Sequence, residues 1–460
     1  MQSGKRRFPR QANEHFRYPS SELLVEDREA LARMIQTHKK VQVPRLWELE
    51  DYYRGDNQTI LRANRRRESH LADHRATHNF AKYITSFIQG YMIGVPLKTS
   101  YPDDSVNEII RDINRQNDAD EHNSNLVLDC SIYGRAYELL YRDRNDKTRF
   151  TVSDVRETFV IYDDTVEMHS IAAVRYTSNA FNDGTVTVQL YTDRQVYTYR
   201  TESIFDEFHE ISIDDHHFGS VPIVEYQNNK FRQGDFEDVL SLIDLYDEAQ
   251  ADTANYMTDF NDAMLKITGN LDLDVEDAKK MKENNILFLR TEPSVEGNAS
   301  RADADYIYKQ YDVQGTESYK TRLFNDILLF ASIPNLLDNK FSGNQTGEAL
   351  KMKLFGLSQK RAIKERLFKK SLRDRYRLIR NMMVTASEGD FDVNDIVISF
   401  TENLPKSVDK ELEWFAKLGG KLSDETLLSL LSFVANPAEE LEKIKNEAPS
   451  VDYDFEREHG

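Results

Sequence analysis

The sequence predicts a helix-rich α+β fold, and three patterns predict it. Apolar residues recur at three- and four-residue spacing over residues 21–131 and again after residue 235, the signature of amphipathic helices. Between residues 136 and 226 the spacing changes to two, in short runs separated by turn residues, which is strand periodicity. With 460 residues, 39% of them hydrophobic and 11% aromatic, the chain has ample material for packed cores. At ~100–200 residues per domain, that length predicts about three domains.

Residues 1–20 carry Lys5, Arg6, Arg7 and Arg10 ahead of any periodic segment, and predict a flexible basic tail. Helices are expected at 21–38 through Leu23, Leu24, Leu31 and Met34, and at 47–53 with Gly55 as the stop. A stronger one spans 79–93, with Phe80, Tyr83, Ile84, Phe87, Ile88 and Tyr91 in register before Gly94 and Pro96; 106–116 and 122–131 add two more. Strands are expected at 136–141, 159–162, 171–176, 185–191, 196–200 and 221–226, with Asn182, Asp183 and Gly184 as one turn.

From Asp235 to Met264 the chain holds nine acids and no Lys or Arg, yet repeats apolar residues at Phe236, Val239, Ile243, Tyr246, Ala254, Met257, Phe260 and Met264. This predicts a helix of about 40 Å at ~1.5 Å per residue, with an anionic back. Like charges three or four apart cost tenths of a kcal/mol per pair, so a purely acidic face implies a basic partner or a surface that another polyanion must slide past. An insert over 264–313 follows, with strand-like 286–290 and 306–311; then a helix at 316–332 that Pro334 ends. A polar loop, 335–346, precedes a long helix at 348–386, a strand at 393–400, short helices over 404–445 and an acidic tail.

Chemistry is sparsely marked. No phosphate-binding glycine loop, nucleophile elbow or zinc-protease motif is present. His209, Asp214, Asp215, His216 and His217 are the one cluster with metal-ligating side chains; neighbouring residues of a strand face opposite ways, so a solvated hairpin turn is expected there and no metal. A metal-dependent phosphodiesterase built on this cluster is a remote reading. Cys130, alone in the chain, predicts a buried apolar role. No run of ~18–20 apolar residues is present for a membrane span, and a net charge of −19 argues against coating nucleic acid through a general positive field. Two basic stretches stand out. Arg62, Arg65, Arg66, Arg67, His70, His74 and Arg75 read as a salt-bridged surface; residues 360–380 hold ten Lys or Arg against Glu365 and Asp374, and an acidic partner within or between subunits is preferred over DNA.

The order of these features resembles the portal, or head-to-tail connector, proteins of long-tailed bacteriophages of Gram-positive bacteria, over about residues 20–445. The stretches that carry the resemblance are Leu-Glu-Asp-Tyr-Tyr-Arg-Gly at 49–55, Ile-Gln-Gly-Tyr-Met-Ile-Gly-Val-Pro at 88–96 and Ser-Ile-Tyr-Gly-Arg-Ala-Tyr at 131–137. Asp-Thr-Ala-Asn-Tyr-Met at 252–257, Asn261 to Ala263, and 341–357 around Gly347-Glu-Ala-Leu complete them. The resemblance implies an α/β wing (21–234, with the long helix and strand of 347–402), stem helices (235–263 and 314–333) and a small α/β clip (264–313). It further implies a tunnel loop (334–346), a helical crown (403–446) and a flexible tail (447–460).

It also implies a twelve-subunit ring at one capsid vertex of the virion, assembled in the host cytoplasm, through which double-stranded DNA is packaged and ejected. Terminase large subunit, a head-completion adaptor, and capsid and scaffolding proteins would be its partners, with no membrane, enzyme activity, catalytic residue, metal or cofactor. Asn335, Asn339, Lys340, Ser342, Asn344, Gln345 and Thr346 would face DNA in the tunnel loop, and Asp244, Asp247, Glu248, Asp252 and Asp259 would form an acidic channel lining. Repulsion suits such a lining, because each strong phosphate contact adds salt-dependent affinity and friction. The residues alone leave open an alternative, a cytoplasmic helical scaffold protein binding a basic partner.

Overall fold

The computed structural model describes residues 6–62, 72–178, 185–202, 207–259, 264–268, 303–307, 312–336 and 352–403, with most of 408–431 and a few residues elsewhere. The chain divides into two units, Met1–Thr401 and Glu402–Gly460.

In the first unit, the N-terminal segment is not the loose tail that its composition suggests. β1 (Phe16–Arg17) pairs in parallel with Ile161 and Tyr162, and Arg232 Nη1 donates to the Asn13 and Glu14 carbonyls at 3.3 and 3.0 Å. Ser20 and Asp27 accept the Leu23 and Ala30 N–H groups and so start α1 (Ser21–Glu26) and α2 (Arg28–Thr37), each cap contributing ~1 kcal/mol. A π-helical turn, His38–Gln42, carries α2 directly into α3 (Val43–Arg54). The helical path is therefore continuous from α2 to α3, with the Val43 N–H reaching back five residues to the His38 carbonyl just ahead of Pro44, which has no N–H to continue the ladder. After the short α4 (Gln58–Leu61) come α5 (Phe80–Ile93), β2 (Lys98–Ser100), α6 (Asp104–Gln116) and α7 (Ala119–Tyr133). Gly134, at φ 84°, closes α7, and a Cβ there would run into the Arg232 carbonyl.

Eight strands follow: β3 (Arg135–Arg142), β4 (Thr148–Ser153), β5 (Thr158–Tyr162), β6 (Ser170–Ser178), β7 (Val186–Tyr191), β8 (Gln195–Thr201), β9 (His209–Asp215) and β10 (Ile223–Gln227). They form two sheets, ordered β1-β5-β6-β7-β8-β9 and β10-β3-β4, antiparallel throughout except at β1. Period-two burial explains the larger sheet: Ile161, Val174, Val188 and Leu190 send their side chains to one face and pack with Leu24, Leu31 and Ile35 of the N-terminal helices. The smaller sheet gives Ala136, Leu140 and Tyr226 to a second core with Leu126 and Cys130 of α7, and Cys130 is buried as expected.

α8 (Leu240–Asp259) is shorter than the acidic run, about 30 Å at ~1.5 Å per residue. Its start is delayed by a 3-10 turn at Glu237–Val239. Met264 is not helical but opens β11 (Met264–Thr268), which pairs antiparallel with β12 (Asp303–Ile307). The strands expected at 286–290 lie outside the described residues, and the one expected at 306–311 begins earlier. α9 (Val313–Ala331) ends at Ser332, φ 61°, two residues before Pro334. α10 (Phe355–Thr385) crosses the second core through Phe368, Leu372, Tyr376 and Ile379, and β13 (Val397–Ser399) pairs with β2.

In the second unit the described residues form α11 (Val408–Leu418) and α12 (Asp424–Ser429), with Gly420 at φ 77° between them and Leu427, Leu428 and Leu431 buried.

Candidate functional site

The acidic segment enters its helix through two buried charge centres. Asp235 lies 2.5 Å from Lys364 Nζ and 3.3 Å from Lys360 Nζ, both on the basic stretch of α10, and accepts from Asn228 Nδ2 at 3.0 Å. Burial would push its carboxyl up; the two ammonium groups outweigh that and hold it well below the usual carboxylate range. Glu237 takes Arg45 of α3 in a forked pair at 2.9 and 2.5 Å, and Arg45 also donates to the Tyr133 and Arg232 carbonyls at 3.1 Å each.

One helical turn into α8, Asp244 receives Arg7 Nη1 at 2.7 Å, Asn57 Nδ2 at 3.1 Å and the Tyr52 hydroxyl. Asp247, only 1% exposed, accepts the His78 backbone N–H and faces His78 Nδ1, both at 2.9 Å, and accepts Asn57 Nδ2 at 2.9 Å. The segment 72–79 runs beside α8: the His74 N–H reaches Asn255 Oδ1 at 2.6 Å, and Tyr246 meets His78 and Phe80 edge-on.

These contacts correct the expected acidic lining. Asp244 and Asp247 are spent inside the protomer, on the face that also carries Leu240, Ile243 and Ala251. Glu248 and Asp252 are exposed, and Asp259 is described only by its place at the end of α8. A helical wheel that sorts residues by polarity cannot separate the two sets, because a buried acid with donors looks like a solvated one; Asn57 and His78, which supply the donors, were not singled out in sequence. Of the expected tunnel loop, Asn335 donates to Asn325 Oδ1 at 3.0 Å. Asn339, Lys340, Ser342, Asn344, Gln345 and Thr346 lie outside the described residues.

The expectation that the basic helix meets acids is met within the protomer. Besides Lys360 and Lys364, Arg375 is fully buried and pairs with Glu138 at 2.7 Å, where His122 Nε2 also lies 2.6 Å away. Burial alone would raise the Glu138 carboxyl, but Arg375 and His122 pull it down to about 2. Arg75 pairs with Asp73 at 2.7 Å; of the rest of that basic stretch, Arg65, Arg66, Arg67 and His70 lie outside the described residues.

His209–Asp215 is the edge strand β9, not the hairpin turn expected; the turn follows it, with His217 at φ 60°. His216 Nε2 lies 3.0 Å from the Thr192 carbonyl and its Nδ1 accepts the Phe218 N–H at 3.2 Å, so its ring is occupied by backbone. No group of three His, Cys, Asp or Glu arranged to hold a metal occurs among the described residues.

The pair α8 and α9 leaves large apolar side chains uncovered: Leu245 and Met257 on α8, and Tyr319, Leu329 and Phe330 on α9, the last two 69% and 64% exposed. No helix among the described residues is long and apolar enough to cross a membrane.

A sequence profile of the family described as "Phage portal protein, SPP1 Gp6-like" matches residues 33–452. The chain belongs to this phage portal protein family. It is 22% identical over 392 residues to the portal protein of Bacillus phage SPP1, covering 82% of this chain and 76% of that one. To the portal protein of Clostridium phage phiCD119 it is 26% identical over 211 residues, 41% of this chain and 46% of the relative. The portal family match spans both units, and so includes the helix root, the uncovered α8 and α9 faces and the two sheets. Portal proteins are structural components of the phage virion rather than enzymes.

Proposed function

We propose that the chain is the subunit of a twelve-membered ring at one capsid vertex, a channel through which double-stranded DNA enters during packaging and leaves at ejection. The observation that carries this reading is the uncovered apolar set Leu245, Met257, Tyr319, Leu329 and Phe330 on the two helices after the wing sheets. Large apolar side chains left uncovered on two packed helices suit burial against a neighbouring copy, and a heterologous contact repeated by rotation closes a ring. In this reading residues 21–234 with α10 and β13 are the wing, α8 and α9 the stem, 264–313 the clip that docks terminase large subunit and later the head-completion adaptor, and 403–446 the crown. Capsid and scaffolding proteins surround the vertex. Glu248 and Asp252, exposed on α8, repel the duplex together with Asp259, whereas Asp244 and Asp247 are turned into the protomer by their hydrogen bonds. Asn335 and the loop residues Asn339, Lys340, Ser342, Asn344, Gln345 and Thr346 touch DNA through weak, reversible hydrogen bonds.

Electron microscopy of the purified chain tests the assembly. Wild type is expected as rings with a central hole wide enough for duplex DNA, and Leu329→Asp with Phe330→Asp as smaller species. Intact rings of the double variant, or wild type that stays monomeric at every concentration, would refute the proposal.

A further inference from the structure

A groove of about 1140 Å³ runs between the two sheets of the first unit, alongside α10. It exceeds the ~300–1,000 Å³ usual for small-molecule sites. Its floor is apolar, formed by Val160 of β5, Ile223 and Val224 of β10, and Leu367 and Leu378 of α10. Its rim is basic, with Arg17, Lys230, Lys370 and Arg373 all exposed.

Three carboxylates near this rim each have a basic or imidazole side chain beside them. Glu225 is paired with Arg232 at 2.7 Å, Asp374 with Arg377 at 2.5 Å, and Glu167 with His169 at 3.1 Å. Among the described residues, Lys230, Lys370 and Arg373 make no ion pair. On α10, Arg366, Lys370, Arg373 and Arg377 recur at four-, three- and four-residue steps along one exposed face. Such a row repels itself by tenths of a kcal/mol per pair. Asp374 offsets Arg377, while Lys370 and Arg373 have no carboxylate within ion-pair distance among the described residues.

Two further features describe the shape of what fits. β1 and β10, which border the groove through Arg17 and through Ile223 and Val224, are each the last strand of their sheet. Edge strands can accept an added extended chain; on β10 the Glu225 carbonyl already takes the Ser371 hydroxyl of α10 at 2.7 Å, which leaves the edge on either side of it. Tyr162 is the sole Tyr, Phe or Trp in the lining; its hydroxyl donates to Glu225 at 2.6 Å and its ring meets His15 edge-on.

We propose that this groove docks an extended acidic peptide of a partner protein, with aliphatic or aromatic residues at alternate positions. Period-two geometry sends the carboxylates of such a peptide to the basic rim and its apolar side chains to the floor. The groove is complete within one protomer, so the proposal stands apart from ring assembly.

The test is fluorescence anisotropy on the full chain with a labelled synthetic peptide that alternates Asp or Glu with Val, Tyr or Phe. Saturable binding is expected, and Lys370→Glu with Arg373→Glu should weaken it about tenfold or more, as reversal of two rim charges dictates. Replacing the peptide acids by Asn and Gln should weaken it likewise, whereas Lys39→Glu with Lys40→Glu, exposed on the π-helical turn, should leave it unchanged. The proposal is overturned by any of four results: no saturable binding, unchanged affinity in the rim variant, equal loss in the Lys39 and Lys40 variant, or equal or tighter binding of a single-stranded oligonucleotide of matched length. Circular dichroism establishes that each exposed-site variant is folded, and ring assembly is scored separately by microscopy.

Discussion

Removing Lys364 isolates the contribution of the buried centre at the root of the acidic helix. Lys364→Met keeps the length and the apolar stem but deletes the ammonium 2.5 Å from Asp235, whose side chain is fully buried. Breaking a buried ion pair from one side costs ~3–5 kcal/mol, because a charge is left without its partner. Lys360 remains at 3.3 Å and Asn228 at 3.0 Å, so the low end, about 3 kcal/mol, is expected. At ~2–4 °C per kcal/mol, and fewer for larger units, the melting temperature should fall by roughly 6 °C. Lys364→Met combined with Asp235→Asn removes both charges and should recover most of the loss. The pH dependence has a definite sign. Asp235 has its folded value depressed, so its contribution is present above the unfolded value near ~3.9 and disappears as pH falls toward the folded one. Lys364→Met should therefore flatten the acid limb of a stability profile followed by circular dichroism. A shift below about 2 °C, or a double variant no more stable than the single, would refute the reasoning.

Gly134→Ala places a Cβ against the Arg232 carbonyl at a positive φ, and should cost about 3 kcal/mol or more, read as a lowered melting temperature or insoluble chain. His78→Ala strips one donor from buried Asp247 while Asn57 remains, and should cost ~1–3 kcal/mol by thermal melting. Glu248→Lys with Asp252→Lys, both exposed, should leave melting within about 1 kcal/mol of wild type while lowering DNA content per capsid; unchanged packaging at low salt would remove the repulsive role of this face.

Much of the fold was legible because burial and periodicity coincide. In the helix at Phe80–Ile93, Phe80, Ile84, Ile88 and Tyr91 are buried as the spacing indicates, while Tyr83 of the same register is exposed; the strands at Phe159, Ile171 and Val186 bury most of their apolar residues. Legibility failed where polar groups pack. Asp244 and Asp247 point inward because Arg7, Asn57 and His78, distant in sequence, converge on them, and no local pattern announces such convergence. Arg7 was read as part of a loose basic tail, although its charge closes a pair with Glu48 and Asp244. Met264 fits the helical period of the preceding residues, but pairing with Ile307 overrides local preference and turns the segment to strand. The edge strand at His209 was taken for a turn because its exposed residues on both faces lack the alternation that marks a half-buried strand.

Arg45 gives the acidic helix a particular mechanics. One guanidinium, fully buried, grips Glu237 just before α8 while also holding the last residue of α7 and the Arg232 turn. With Asp235 clamped to α10 and Asp247 to the His78 segment, α8 is built in at its base like a cantilever rather than pivoted. A load on its far end is therefore delivered as a bending moment into α3, α7 and α10, and the core they share, not a hinge, carries it.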